Sequence, residues 1–179
     1  IFFCVTKRFR KLQFGRNNEA EALAFHELAR VASGYLGQDA VYHQNFAGNC
    51  IENPSEYCLS GGLGPKKFDC SGLIIRSLCD LLDCTIETDG LRHVRDMWRS
   101  AEEHTAYMRA SLAVGVLAVM RRRYMIDGIP TEIPGHIGVV SSVEDEVTII
   151  HANPRNGKVE QSILRDQTNV MGYIALNLA

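Results

Sequence analysis

The sequence predicts an α+β fold, with helices in the first part of the chain and an antiparallel β-sheet after them. Two periodic segments, residues 17–34 and 70–83, carry helical patterns with start and stop signals. Beyond about residue 110 the period changes to short, mostly β-branched runs separated by turn residues. Helices first and strands after give an antiparallel sheet rather than alternating β-α-β units. The chain has 179 residues, 46% of them hydrophobic, which suits one ordinary domain over residues 1–179 with no internal repeat.

The first helix is read from Asn18 as N-cap, Glu21 three residues later and Gly34 as the stop. Residues 37–69 are rich in Gly, Asn and Pro and read as a long irregular segment, the kind of loop that more often carries function than ornament. In the second helix Leu73, Ile74, Ile75, Leu78, Leu81 and Leu82 are too many for one stripe, so it should run through the core. A third, half-exposed helix is expected over about Leu91 to Ala110, around Trp98. Strands follow at Leu112–Arg121, His136–Ser142, Glu146–His151, Lys158–Ile163 and Met171–Leu176.

Several function classes are excluded early. The formal charge of −2 offers no reason to make nucleic acid the partner. The longest apolar run, Leu112 to Met120, is nine residues, well short of the ~20 that a membrane helix needs. The chain opens on Ile1 rather than Met, which reads as a processed or trimmed end. Residues 1–16 read as an N-terminal arm, a short strand or tail whose Lys7, Arg8, Arg10, Lys11 and Arg16 make a solvated basic face, with the stump of a removed anchor or an arm resting on an anionic surface as the alternatives. Six cysteines without any Cys-x-x-Cys pair do not suggest a metal site, and no cofactor is called for. Cys79 reads as a buried small hydrophobe, while Cys50 and Cys58 share one loop-like stretch and leave a disulfide open.

The chemistry points to Cys70. In Phe68-Asp69-Cys70-Ser71-Gly72-Leu73 a glycine-rich loop becomes the buried helix, which puts a thiol at a helix N-terminus. There the backbone N–H groups and the positive end of the dipole favour a thiolate and can hold an oxyanion. Gly72, a poor helix former in the first turn, is expected to leave room for a substrate backbone. Alone, such a cysteine is most often just a small buried residue. Two histidines change the reading: His136 opens one strand and His151 closes the next. A two- or four-residue loop around Glu144-Asp145 pairs residues whose numbers sum to an odd value, as 136 and 151 do, so both imidazoles leave the same face. A three-residue loop or a bulge would break this parity. Cys70 as nucleophile, His136 as base and His151 as its orienting partner make a triad.

These residues, with Gly135-His136-Ile137-Gly138-Val139-Val140 and Ile150-His151-Ala152, resemble the NlpC-type family of papain-like cysteine peptidases that act on bacterial cell walls. The resemblance runs from about Ala20 to Leu176 and implies a short papain-like core whose catalytic Cys, His and third polar residue fall on Cys70, His136 and His151. It also implies an upstream tyrosine at the oxyanion site, best matched by Tyr42, with Tyr35 as the rival, and substrate contacts from Asp69, Ser71, Gly72 and Gly135. The chain departs from the family pattern in three places. Tyr42 and Cys70 are 28 positions apart, so residues 43–63 read as an insertion near the cleft. His43-Gln44-Asn45 stands where the family has Trp-Gly-Gly, and Gly115-Val116-Leu117 where it has Gly-Asp-Leu.

The resemblance implies a hydrolase that cleaves the γ-D-glutamyl-diaminopimelate bond of the peptidoglycan stem peptide, in the cell envelope or secreted. A wall amidase or thiol acyltransferase on the same core is the alternative. A toxin held by an immunity or inhibitor protein is another, and an inactive wall-binding module is the third. Arg92, Arg95 and Arg121-Arg122-Arg123 read as solvated, with stem-peptide carboxylates as their other conceivable partner.

Overall fold

A computed structural model describes residues 18–41, 62–83, 92–165 and 167–176, leaving aside the side chains of 18–25, 124 and 167. The elements run α1 (Asn18–Ser33), β1 (Asp39–Ala40), β2 (Lys67–Phe68), α2 (Cys70–Leu82), α3 (Val94–Glu102), β3 (Tyr107–Ala110), β4 (Leu117–Ile126), β5 (Ile129–Ser142), β6 (Thr148–Asn153), β7 (Lys158–Ile163) and β8 (Val170–Leu176). All eight strands join one sheet in the order β2-β1-β7-β6-β5-β4-β8-β3. Every pairing is antiparallel except the two-residue β1–β2 contact at the edge. The α+β class and the antiparallel sheet are therefore as the residue patterns predict.

Boundaries differ where local pattern and tertiary packing compete. Asn18 is already helical rather than the cap. Helix α1 ends at Ser33, and the positive φ that turns the chain falls at Gly37, not Gly34. The third helix stops at Glu102, and residues 107–110 form a strand because β8 offers them a ladder, pairing Tyr107 with Leu176 and Ala110 with Tyr173. The β4–β5 hairpin extends far beyond expectation, to a two-residue turn at Asp127-Gly128, both with positive φ. That Asp-Gly pair is the strongest short hairpin signal a sequence can carry. Its arms were obscured by Arg121, Arg123 and Glu132, which are charged but pair across the two strands at 3.0 Å.

The helices bury their apolar faces against the sheet. Leu28 and Ala32 of α1, Leu73, Ile74 and Leu78 of α2, and Met97 of α3 share one core with Leu117, Val119, Ile137, Val139, Ile150 and Ile174. A smaller cluster, including Val116, Ala118, Val140 and Ile149, uses the alternate strand positions. No helix among the described residues is long and apolar enough to cross a membrane.

Met97 is fully buried and anchors α3 to this core. Met97→Ala is expected to cost about 2–5 kcal/mol, lowering the urea midpoint without changing the slope of the transition. A midpoint within error of the wild type would contradict that anchoring.

Candidate active site

Helix α2 begins where it does because Asp69 caps it. Asp69 is extended, its Oδ1 accepts the Gly72 N–H at 2.7 Å, and its carbonyl accepts the first intrahelical bond from Leu73. Its own N–H donates to the Gly62 carbonyl at 2.9 Å, tying the glycine-rich turn to the helix start. Arg92, entering α3, pairs with the same carboxylate through both terminal nitrogens, and its Nη1 also donates to Ser71 Oγ at 2.8 Å. The whole cluster is buried, with Asp69 at 6%, Ser71 at 4% and Arg92 at 3% exposure. Cys70 is the first residue of the helix so positioned, and it is buried as part of the core that α2 shares with β5 and β6.

The histidines meet. His136 Nε2 lies 2.7 Å from His151 Nδ1, with the rings edge to face at 5.0 Å between centroids. The route to this contact differs from the simple hairpin expected. Ser142 pairs with Thr148 around a five-residue connection, 143–147, which sets the wrong parity. A one-residue bulge at Ser141 then restores it, so Val139 pairs with Ile150 and Val140 with Ile149. The two departures cancel. Continuing that register sets Gly138 opposite His151, and His136 reaches His151 as a diagonal neighbour. At Gly138 a Cβ would stand 3.1 Å from the His151 Cβ, so the glycine gives the imidazole its room.

A second bulge sits just before His136. Met120 pairs with His136 but Arg121 with Pro134, leaving Gly135 as the extra residue. A Cβ on Gly135 would lie 2.6 Å from the Arg122 Cβ, so the Arg122 stem occupies that space. Burial holds His136 well below its ordinary pKa of 6.5, with His151 and the Arg122 guanidinium adding to the effect. Burial also lowers His151, against the raising influence of Glu160. Both rings are neutral at neutral pH, and His136 is a base with a lone pair to offer.

Several expected substrate contacts have internal partners instead. Asp69 and Ser71 are consumed by the Arg92 cluster, which also removes Arg92 from the solvated or substrate-facing roles expected of it. The room at Gly72 is filled by the chain itself, because a side chain there would overlap the Gly62 carbonyl. Gly135 serves the bulge and Arg122. Tyr35 is no oxyanion donor, since its hydroxyl bonds to Asp80 near the far end of α2. Tyr42 lies outside the described residues, as do Cys4, Cys50, Cys58, Cys84, the N-terminal arm and all but the last two positions of the 43–63 insertion. Val41, just before Tyr42, donates its N–H to Phe68 O at 2.8 Å.

The sequence reading missed three polar neighbours of the histidine pair: Ser162, 3.1 Å from His151 Nε2, then Glu160 and Asn153 behind it. Their signal was the alternation of Glu160 and Ser162 along β7, which places both on the His151 side of the ladder. Among the described residues no group of three or more His, Cys, Asp or Glu is placed to hold a metal ion.

Asp69→Ala removes the cap and strips a buried guanidinium of its counter-charge, which is expected to cost about 3–5 kcal/mol by urea denaturation. Asp69→Ala combined with Arg92→Met should recover part of that loss. The unfolded chain protonates His136 and His151 near 6.5 while the folded chain resists, so the unfolded state binds more protons below that pH. Stability should therefore fall between about pH 7.5 and 5.5, by up to about 1.4 kcal/mol per pH unit for each histidine. His151→Asn should flatten the dependence, and a midpoint that is constant or rises on acidification would contradict it.

No protein-family model and no curated protein matches the sequence. Solved structures do match the fold. The peptidoglycan hydrolase RipB from Mycobacterium tuberculosis aligns with a TM-score of 0.53 at 17% identity, covering 99% of this chain and 80% of that one. NlpC2 from Trichomonas vaginalis aligns at 0.51 and 18% identity over 86% of this chain. An N-acetylmuramoyl-L-alanine amidase from Bacteroides uniformis aligns at 0.50 and 11% identity, covering 86% of this chain and 99% of that one. This chain spans about half the length of NlpC2 and of its relative NlpC1 from the same organism, 46% and 47%. The α+β architecture, with a capped cysteine helix against a sheet that carries two touching histidines, is thus the NlpC-type papain-like fold.

Proposed function

We propose that this chain is a thiol-dependent hydrolase that cleaves an amide bond in the peptide stem of bacterial peptidoglycan, between γ-D-glutamate and diaminopimelate. The observation that carries the reading is the 2.7 Å contact of two neutral, buried histidines on strands that pack against the helix beginning at Cys70. Two of the proteins sharing the fold are described as a peptidoglycan hydrolase and a muramoyl-alanine amidase, which supports the substrate class. The site of action would then be the cell wall.

In this reading His136 takes the Cys70 proton, and the thiolate sulfur attacks the amide carbonyl carbon. The oxyanion rests at the N-terminus of α2, where the Cys70 N–H and the dipole stabilise negative charge. The C–N bond breaks, and His136 passes its proton to the departing amine. Water then attacks the thioester, with His136 again as base, releasing a carboxylate and restoring the thiol. His151 keeps the His136 ring oriented throughout.

Cleavage of the muramoyl–alanine amide by the same groups is the second reading, favoured by the fold shared with the Bacteroides uniformis amidase along nearly its whole length. Digestion of purified sacculi followed by mass spectrometry separates the two. New amino groups on diaminopimelate are expected from the wild type, and free lactyl-muramic ends would indicate the amidase. Cys70→Ala and His136→Ala should each lower the rate by at least about 10³-fold. Equal digestion by wild type and Cys70→Ala would overturn the thiol mechanism.

A further inference from the structure

The hydrogen-bond chain does not end at His151. His151 Nε2 is 3.1 Å from Ser162 Oγ, and Ser162 Oγ is 2.7 Å from Glu160 Oε1. That same Oε1 takes a bond from Asn153 Nδ2 at 2.6 Å, and Oε2 takes one from Asn156 Nδ2 at 2.7 Å. The Asn153 amide is itself oriented, because its Oδ1 accepts the Arg155 N–H at 2.9 Å and so turns its NH₂ toward Glu160. The register explains the assembly: His151 pairs directly with Glu160 and Ile149 with Ser162, so all three polar side chains lie on one face of β6 and β7.

From this geometry we infer that Glu160, acting through Ser162, sets the direction of every hydrogen bond in the histidine pair and thereby fixes which nitrogen of His136 is the base. An ionised carboxylate only accepts, so the Ser162 hydroxyl must donate to it. Ser162 then offers a lone pair to His151, whose Nε2 must carry the proton. A neutral imidazole has a single N–H, which leaves His151 Nδ1 as an acceptor. His136 Nε2 must therefore donate to it at 2.7 Å, and the His136 lone pair is left on Nδ1. Donation from Asn156 and Asn153 holds the Glu160 carboxyl below its ordinary range, which keeps the starting point of the chain ionised.

Glu160 and Ser162 are positioning residues in this scheme. They touch no substrate; they determine that both rings are Nε2–H tautomers. Directing the Nδ1 lone pair at the Cys70 thiol rests on the proposed function, whereas the tautomer assignment does not. Reversal of the chain would place a proton on His136 Nδ1 and leave that nitrogen unable to act as a base. The 4.0 Å between His151 Nε2 and Glu160 Oε1 shows why the serine is needed: the carboxylate alone is beyond hydrogen-bond reach.

The test is long-range ¹H–¹⁵N correlation of the histidine rings in the intact protein at about pH 7.5, paired with the rate of Cys70 alkylation by iodoacetamide read on its own peptide. Both His136 and His151 are expected as Nε2–H tautomers in the wild type, and an Nδ1–H signature for either ring overturns the proposal whatever the variants do. Ser162→Ala should mix the tautomers and slow alkylation by about tenfold, the scale on which supporting hydrogen bonds act. Ser162→Thr, which keeps the hydroxyl, should restore both readouts. Unchanged tautomers and rate in both Ser162→Ala and Glu160→Ala would equally overturn it. Neither readout uses peptidoglycan, so a failure here is distinct from a failure to digest sacculi.

Discussion

The Asp69–Arg92 pair is the constraint on which the site depends. One buried carboxylate caps α2, binds both terminal nitrogens of an arginine from the start of α3, and through its backbone holds the glycine turn at Gly62. A buried ion pair of this kind returns little net energy over an apolar substitute, because both charges give up water. Its value is positional. With Ser71 also drawn in, the polar side chains on either side of Cys70 are both held by Arg92, and the helix begins at that cysteine. Gly72 follows as a consequence: the loop that Asp69 draws inward lies so close that no side chain fits beneath it.

The sheet solves a different problem, bringing two imidazoles together from separate strands. Strand alternation makes the outcome all or none, since a shift of one residue sends a side chain to the opposite face. Here a five-residue connection and a bulge at Ser141 each shift the count by one, and the product is the parity that a tight hairpin would have given. Gly135 and Gly138 then do local work, one as the extra residue of a bulge under the Arg122 stem, the other by vacating the space beside His151. Burial and the nearby guanidinium keep both rings neutral, which is what lets the polarity of one hydrogen bond dictate the next.

Much of this was legible along the chain because the signals are local. The helix at Cys70 was readable from an Asp before it and apolar residues filling nearly every turn, and β7 from alternation bounded by turn residues. The pairing of His136 with His151 was legible as parity, although the connection that delivers it was not. Residues 107–110 could not be read as a strand, because what makes them one is the free edge of β8, sixty residues further on. Charged arms hid the far half of the β4–β5 hairpin, since Arg121, Arg123 and Glu132 satisfy one another only once the strands are side by side.

The sequence by itself determined the fold class, the position of the thiol at a helix start and the sharing of one sheet face by His136 and His151, because helix caps and strand alternation are properties of neighbouring residues. Only the tertiary structure decided what surrounds them. Arg92 reads as a surface charge until its partner 23 positions away is seen to be buried with it. Asp69, Ser71, Gly72 and Gly135 read as substrate contacts until the chain's own atoms occupy their reach. Glu160 and Ser162 read as the polar face of a strand until His151 stands across from them. Hydrogen-bond partners and close approaches depend on which distant segments become neighbours, and that is settled by packing rather than by local pattern.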